Sequence, residues 1–186
     1  YEHIPGIDYL GRGISNDIAP RQLGSACEQL GKKMALSEMF GCCGWDVSPS
    51  ELKRIAELQY VNGVNLMCQH LYSYSIRGQR KRDYPNHYSD HCGWQKFLKE
   101  FDNYFNNLGY TLSLGSEAVN TLVIHPIHSA YLHYKRQSGG IDDLERGMVE
   151  VSNLLSNNQI AYHWGDENMM TRMAKVEGKT IRVGLC

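Results

Sequence analysis

Lys33-Met-Ala-Leu-Ser-Glu-Met-Phe-Gly-Cys-Cys-Gly-Trp-Asp-Val-Ser-Pro-Ser-Glu51 is the stretch on which the fold turns. Lys33 to Glu38 is a short apolar run closed by a carboxylate, consistent with a buried strand. Gly41, Gly44 and Trp45 make a loop after it. Ser48-Pro49-Ser50-Glu51 is a helix start, with Ser48 as N-cap, Pro49 at the first position and Glu51 three residues after the cap. Leu52, Ile55, Ala56 and Gln59 continue at helical spacing, and Asn62-Gly63 ends the helix. Val64-Asn-Leu-Met-Cys-Gln-His70 is a second apolar run of strand length. Two such runs separated by one helix of crossover length predict a βαβ unit and a parallel sheet.

Upstream, residues 1–16 are a Gly- and Pro-punctuated loop, with Asp8 after a strand or loop. Residues 18–32 read as a helix, with Pro20 in its first turn and Leu23, Cys27 and Leu30 on one face. Downstream, residues 72–93 form a long polar and aromatic loop carrying Arg77, Arg80, Lys81, Arg82 and Asp83. That basic run is either a solvated structural loop or the source of one arginine for a cleft. Residues 94–108 read as a helix with Trp94, Phe97, Leu98, Phe101, Tyr104, Phe105 and Leu108 on its apolar face. The aromatic crowding from Tyr60 to Phe105 suits a core with a buried loop, or the lining of a sugar cleft.

Gly109 to Gly115 marks an expected change of domain, dividing the chain into 1–112 and 113–186. Asn120 to Pro126 begins the second part as a strand. Residues 141–156 follow as a helix with Leu144, Met148, Val151, Leu154 and Leu155 inward. Gln159 to His163 is a strand, a short helix starts at Gly165, and residues 180–184 are a third strand. This resembles the opening of a flavodoxin-like sheet. His125-Pro-Ile-His-Ser129 stands where a Gly-rich phosphate loop would be, which argues against a nucleotide or flavin site.

The 186 residues carry a formal charge of −1, and 42% are apolar, which argues against disorder and against nucleic-acid or membrane binding by net charge. No apolar run is long enough to span a membrane. The six cysteines include the adjacent Cys42 and Cys43 but no CxxC pair, so they read as reduced, small apolar residues rather than a zinc site or a disulfide framework. Tyr1 opens the chain in a loop-like stretch and Cys186 stops it in a strand-like one. The sequence is therefore expected to be part of a longer protein, and its compartment, cytoplasmic or periplasmic, is left unassigned.

Parallel α/β folds place function at the carboxyl ends of strands. Two segments meet that test, one ending in Glu38 and the other in His70. A carboxylate closing an apolar strand has its pKa raised by burial or meets a developing cation. The alternative is a structural Glu bonded to loop N–H groups. His70 is expected to bond a sugar hydroxyl, to orient Glu38, or to be a core histidine. Trp45 and Tyr72 are candidates to stack on a sugar face, or else loop packing. Asp8 is a candidate for sugar-hydroxyl bonding, and Arg77 for a cleft contact. Glu117, Glu145, Glu150, Glu167 and Glu177 read as cap or surface residues, so the second carboxyl group of a glycosidase pair is not visible. His125, His128 and His133 are a weak metal set, and no GxSxG elbow is present.

Pro5-Gly-Ile-Asp-Tyr-Leu-Gly11, Gln29-Leu-Gly-Lys-Lys33, Leu36-Ser-Glu-Met-Phe-Gly-Cys-Cys-Gly-Trp45, Asn62-Gly-Val-Asn65 and Gln69-His70 together resemble the end of the catalytic barrel of large bacterial glycoside hydrolases. The relatives in question are α-L-rhamnosidase-like enzymes and clan-A-type β-galactosidase relatives. Tyr74 to Pro85 is similar to the long loop after their last barrel strand, and Asn120 to His163 with Asp166-Glu167 to their glutamine-amidotransferase-like accessory domain. The resemblance implies the C-terminal part of a (β/α)8 TIM-type barrel followed by the start of a flavodoxin-like α/β domain. It implies a glycosidase acting on O-glycosidic bonds, with Glu38 on the seventh strand as nucleophile, base, or ligand of substrate or metal, and His70 on the eighth. A non-catalytic carbohydrate-binding or interaction module is the alternative. No cofactor is read from the residues, although the resemblance admits calcium. The expected partners are a carbohydrate and, through exposed parallel edges, a second copy in a homo-oligomer.

Overall fold

The computed structural model describes residues 2–14, 16–82, 84–136 and 139–185; Asp83, named above in the basic run, and the chain ends at Tyr1 and Cys186 lie outside them. The elements run β1 (Gly6–Asp8), α1 (Ile18–Leu30), β2 (Leu36–Met39), α2 (Pro49–Tyr60), β3 (Leu66–Gln69), α3 (Leu98–Ser113), β4 (Leu122–Ile124), α4 (Ile127–His133), α5 (Asp142–Asn157), β5 (His163–Gly165), α6 (Glu167–Met173), β6 (Ala174–Glu177) and β7 (Thr180–Val183). The architecture is α/β, with β1-β2-β3 as one parallel sheet, β4-β5 as a parallel pair, and β6-β7 as an antiparallel hairpin. No closed barrel forms among the described residues.

Alternation along the strands sorts the first sheet into two faces. Ile7, Ser37, Met39 and Met67 point to the helices. Ser37 and Met39 are fully buried there, and the Ser37 hydroxyl donates to Gln59 Oε1 of α2 at 2.5 Å. A core of Leu23, Met39, Phe40, Leu52, Ile55, Val64, Tyr60 and Phe105 fills the space between sheet and helices. Gly6, Asp8, Leu36, Glu38, Leu66 and Cys68 occupy the other face, where each stays part-exposed or exposed. α2 starts as predicted: Ser48 accepts from the Glu51 N–H, the Glu51 side chain reaches back to the Ser48 N–H, and Pro49 takes the first position.

The second part docks on α1. The Trp164 N–H donates to Ser25 Oγ and Gln29 Nε2 donates to the Trp164 carbonyl, both at 2.9 Å. The Ser152 hydroxyl of α5 bonds Asp17 Oδ1 at 2.5 Å and Tyr162 at 2.7 Å.

Four expectations are corrected. Residues 180–183 pair antiparallel with 174–177 instead of extending the β4-β5 sheet. The two-residue turn at Gly178, whose φ is +65°, links the strand to its immediate predecessor. Val151 and Leu154 of α5 are exposed, because Ser152 takes the inward face and bonds Asp17 and Tyr162. Leu30 is exposed in the last turn of α1, and Phe97 and Tyr104 lie on the outer side of the aromatic helix. α4 occupies what read as loop.

Candidate functional site

β1, β2 and β3 run parallel in register Asp8↔Glu38↔Cys68, so the three side chains form a row at the carboxyl ends of the strands, on the face away from the helices. Asp8 and Glu38 are in hydrogen-bonding contact, and that contact, followed by partial burial and the Asp8 charge, holds the Glu38 carboxyl above its ordinary pKa. Glu38 therefore keeps a proton at a pH where an isolated glutamate has lost it. Asp8 is exposed and Glu38 half-buried, so water screens this pair more than a core pair.

His70 follows β3 directly, and its N–H donates to the Met39 carbonyl at 2.9 Å, continuing the ladder. Glu38 and His70 were expected to end adjacent parallel strands at one pole and to face one cleft, and the strand placement is met. The ring packs on the loop after β2. A Cβ at Gly41 would lie 3.1 Å from His70 Cγ and 3.3 Å from the Leu10 side chain, so glycine gives the imidazole its seat. His70 Nδ1 is buried without a protein partner, and the ring meets Tyr84 edge-on at 5.9 Å. The group oriented against Glu38 is thus Asp8 rather than His70.

The loops at this pole are fastened together. Arg12 bonds Asp46 through Nη1 at 2.9 Å and Glu51 through Nη2 at 2.8 Å, tying the loop after β1 to the start of α2. The Gly44 N–H donates to the Pro85 carbonyl at 2.8 Å, laying the loop after β3 over that after β2. Trp45 is 41% exposed and packs on His87 at 5.2 Å and His91 at 5.8 Å, so one part of its surface is free to stack. Tyr72 and Arg77 lie exposed on the loop after β3 and are not drawn to the carboxylates.

Among the described residues, Gln69 and His70 at the end of β3 and Ser89 on the loop that follows it carry buried polar atoms without a protein hydrogen-bond partner. Such groups cluster where a structure is organised around something other than stability. Burial pushes the Cys43 thiol up to about 11, which removes it as a nucleophile at neutral pH.

Sequence reasoning missed two groups. Glu117, read as a cap or surface residue, bonds Arg21 at 2.5 Å and His163 at 3.3 Å. Burial pushes its carboxyl up, but the His163 hydrogen bond and the Arg21 guanidinium outweigh that and hold it below the ordinary carboxylate range. Arg12 carried no signal beyond its neighbouring glycines. His128, from the histidine trio, pairs with Glu167 at 2.6 Å.

No known protein family matches the chain, and neither does any curated protein. Among solved structures it is similar to a rhamnosidase from Novosphingobium sp. PP1Y, with a TM-score of 0.62 and 16% identity over 97% of this chain. The chain spans 17% of the length of that protein, and the likeness is one of fold.

Proposed function

We propose that this chain is part of a glycoside hydrolase acting on O-glycosidic bonds. In that reading β1-β2-β3 are neighbouring strands of a (β/α)8 barrel and residues 113–186 open a flavodoxin-like accessory domain. The observation that carries it is the Asp8–Glu38 pair in matched register at the carboxyl ends of parallel strands, where barrel enzymes keep their chemistry. The fold likeness to a rhamnosidase supports the same reading.

A Glu38 whose pKa is raised by its contact with Asp8 suits donation to a glycosidic or hydroxyl oxygen better than attack on an anomeric carbon, which needs the carboxylate. The two carboxyl groups of a glycosidase stand about 5–5.5 Å apart on the double-displacement route and about 6.5–9.5 Å apart on the single-displacement route. Asp8 touches Glu38 and is too close for either, so it tunes Glu38 and the opposing carboxyl group comes from further chain. His70 and Trp45 stand at the same pole as sugar-contacting groups, and Tyr72 and Arg77, exposed on the loop after β3, are further candidates for the same role. Calcium, admitted by the resemblance, has no histidine–cysteine–carboxylate cluster of three ligands among the described residues, and no step is routed through it.

The test is turnover of aryl glycosides by the intact protein. Glu38→Gln is expected to lower it at least about a hundredfold, and unchanged turnover would reassign Glu38 to structure. The 186-residue chain alone is expected to release no aglycone, because it supplies three of the eight strands a barrel needs. The second reading is a carbohydrate-binding module, favoured by the direct contact of Asp8 with Glu38. Calorimetric binding of sugar by an intact protein that hydrolyses none would select it.

A further inference from the structure

The β6-β7 hairpin has an inner strand and an outer one. β7 is the inner strand. Val183 at its end is 3% exposed, and just past it the Leu185 N–H donates to the Gln29 carbonyl of α1 at 3.0 Å. β6 is the outer strand. All four of its residues are exposed, Val176 at 77%. Among the described residues, no backbone hydrogen bond joins Lys175, Val176 or Glu177 to anything but β7.

The turn fixes which backbone groups this edge offers. Gly178 and Lys179 close the hairpin in two residues, with Gly178 at φ +65°. Such a turn makes Glu177 and Thr180 a hydrogen-bonded pair. Pairs alternate along an antiparallel ladder, so Val176↔Ile181 is non-hydrogen-bonded and Lys175↔Arg182 is hydrogen-bonded. The N–H and C=O of Val176 therefore point away from β7, while those of Lys175 and Glu177 are taken by it. An edge of this kind is a template for a further strand.

The side chains decide which strand fits. Lys175 and Glu177 carry opposite charges on either side of Val176. Two copies of β6 laid antiparallel about a two-fold axis at Val176 set Lys175 of each opposite Glu177 of the other. These are non-hydrogen-bonded pairs, with Cα atoms about 4.5 Å apart and side chains close. The neighbouring two-fold registers set Lys175 on Lys175 or Glu177 on Glu177, which is destabilising. Lys175 also gains what its own hairpin does not give it. Its cross-strand neighbour is Arg182, a like charge, and Glu177 is turned to Arg182 at 2.9 Å. On the other face Val176 and Ile181 stand opposite one another, exposed 77% and 58%. Pairing would join them to their counterparts in one apolar stripe. A lone two-stranded hairpin is marginal in water, and three or more strands with an apolar face are what stabilises it.

We propose that β6 is a self-association edge whose occupant is β6 of a second copy of this chain. The two hairpins form one antiparallel sheet, in the order β7-β6-β6-β7, about a two-fold axis at Val176. The contact is short, so the dimer is weak and depends on concentration. It does not depend on the role given to Glu38.

The test is sedimentation equilibrium of the 186-residue chain in reducing buffer, where the monomer has a mass of 21.2 kDa. The mass is expected to rise toward twice that value at protein concentrations up to about 1 mM. Val176→Pro deletes the outward N–H without touching the bonds to β7, and is expected to leave a monomer throughout. Lys175→Glu and Glu177→Lys each bring like charges face to face, and each is expected to weaken association at least about tenfold. The double variant Lys175→Glu/Glu177→Lys restores unlike pairs in exchanged order, and is expected to associate within about threefold of the parent. A parent chain that stays monomeric would overturn the proposal. So would a dimer that survives Val176→Pro, since the contact would then lie on another edge. A double variant that associates no better than the single ones would also overturn it, and that comparison remains decisive if Val176→Pro does not fold.

Discussion

The β1-β2-β3 sheet and the β4-β5 pair are both parallel, yet their stability comes from different sources. The first is covered by α1, α2 and α3, and the apolar core lies wholly between Ile7 and Leu108. Past residue 112, the buried apolar side chains among the described residues are Tyr162, Trp164 and Val183. What holds them is borrowed from α1, through Arg21, Ser25 and Gln29. A parallel pair needs cover on its faces. One sheet obtains that cover from its own crossovers, the other from a helix some 135 residues upstream.

The largest expected effect follows from that dependence. A chain beginning at residue 113 should show no cooperative thermal unfolding and collapsed amide dispersion, while residues 1–112 should keep a cooperative transition. A dispersed spectrum for the isolated second part would break the comparison. Next come single core truncations. Leu52 and Ile55 are fully buried, and Leu52→Ala or Ile55→Ala should cost about 2–5 kcal/mol in urea denaturation. Val176→Ala, on the exposed hairpin, should stay within about 0.5 kcal/mol.

The seam between the two parts gives a smaller and pH-dependent effect. Arg21 and Glu117 expose 11% and 30% of their side chains, so removing one partner strands the other in a poorly solvated place. Arg21→Leu should cost about 3 kcal/mol, read by hydrogen exchange as a larger loss of protection in β4 and β5 than in β1-β2-β3, where Arg21 also bonds Asn62 and the Val61 carbonyl. The Glu117 carboxyl is held below its ordinary value. The stability it contributes is therefore present above the unfolded carboxylate pKa and lost as pH falls through the depressed one. Acidification should open the second part before the first, and Glu117→Gln should abolish that difference. Uniform loss of protection in both parts would mean that the seam is not where they separate.

What the sequence told, and what it did not, divides along the same line. The βαβ unit from Lys33 to His70 was legible because its signals are local: an apolar run, a capping box at Ser48 and Glu51, a second apolar run. Adjacency then placed Glu38 and His70 at one pole without any long-range information. Glu117 was not legible, since its partner Arg21 lies 96 residues away and nothing near either residue marks the pair. The third strand was misassigned for a related reason. Residues 180–183 look like a strand, but their partner is decided by the short turn at Gly178 rather than by the parallel pair before it. The expected inward face of α5 failed because its orientation comes from one hydroxyl, Ser152, bonding groups on two other elements.

The smallest expected effect bears on the candidate site itself, and it separates a tuned acid from an ordinary surface carboxylate. Asp8 contacts Glu38 across neighbouring strands and holds its pKa up. An acid whose pKa is higher folded than unfolded favours the fold at low pH, and that contribution fades as pH rises through the raised value. Asp8→Asn removes the repelling charge, so Glu38 should titrate lower and the folded chain should gain slightly at neutral pH. Both groups are substantially solvated, so the stability change should be slight and the titration is the better readout. Carboxyl-carbon NMR of the chain should show Glu38 titrating above an ordinary glutamate, and Asp8→Asn should bring it back down. Cys68→Ser, on the other side of Glu38 in the same row, should leave that titration unmoved, since the raised value comes from Asp8 and from partial burial. A Glu38 that titrates normally in the parent chain, or an Asp8→Asn variant with an unchanged curve, would show that register alone brings the two strands' carboxylates level without coupling them. Glu38 would then lose its claim to a proton-donating role while keeping its place at the end of the strand.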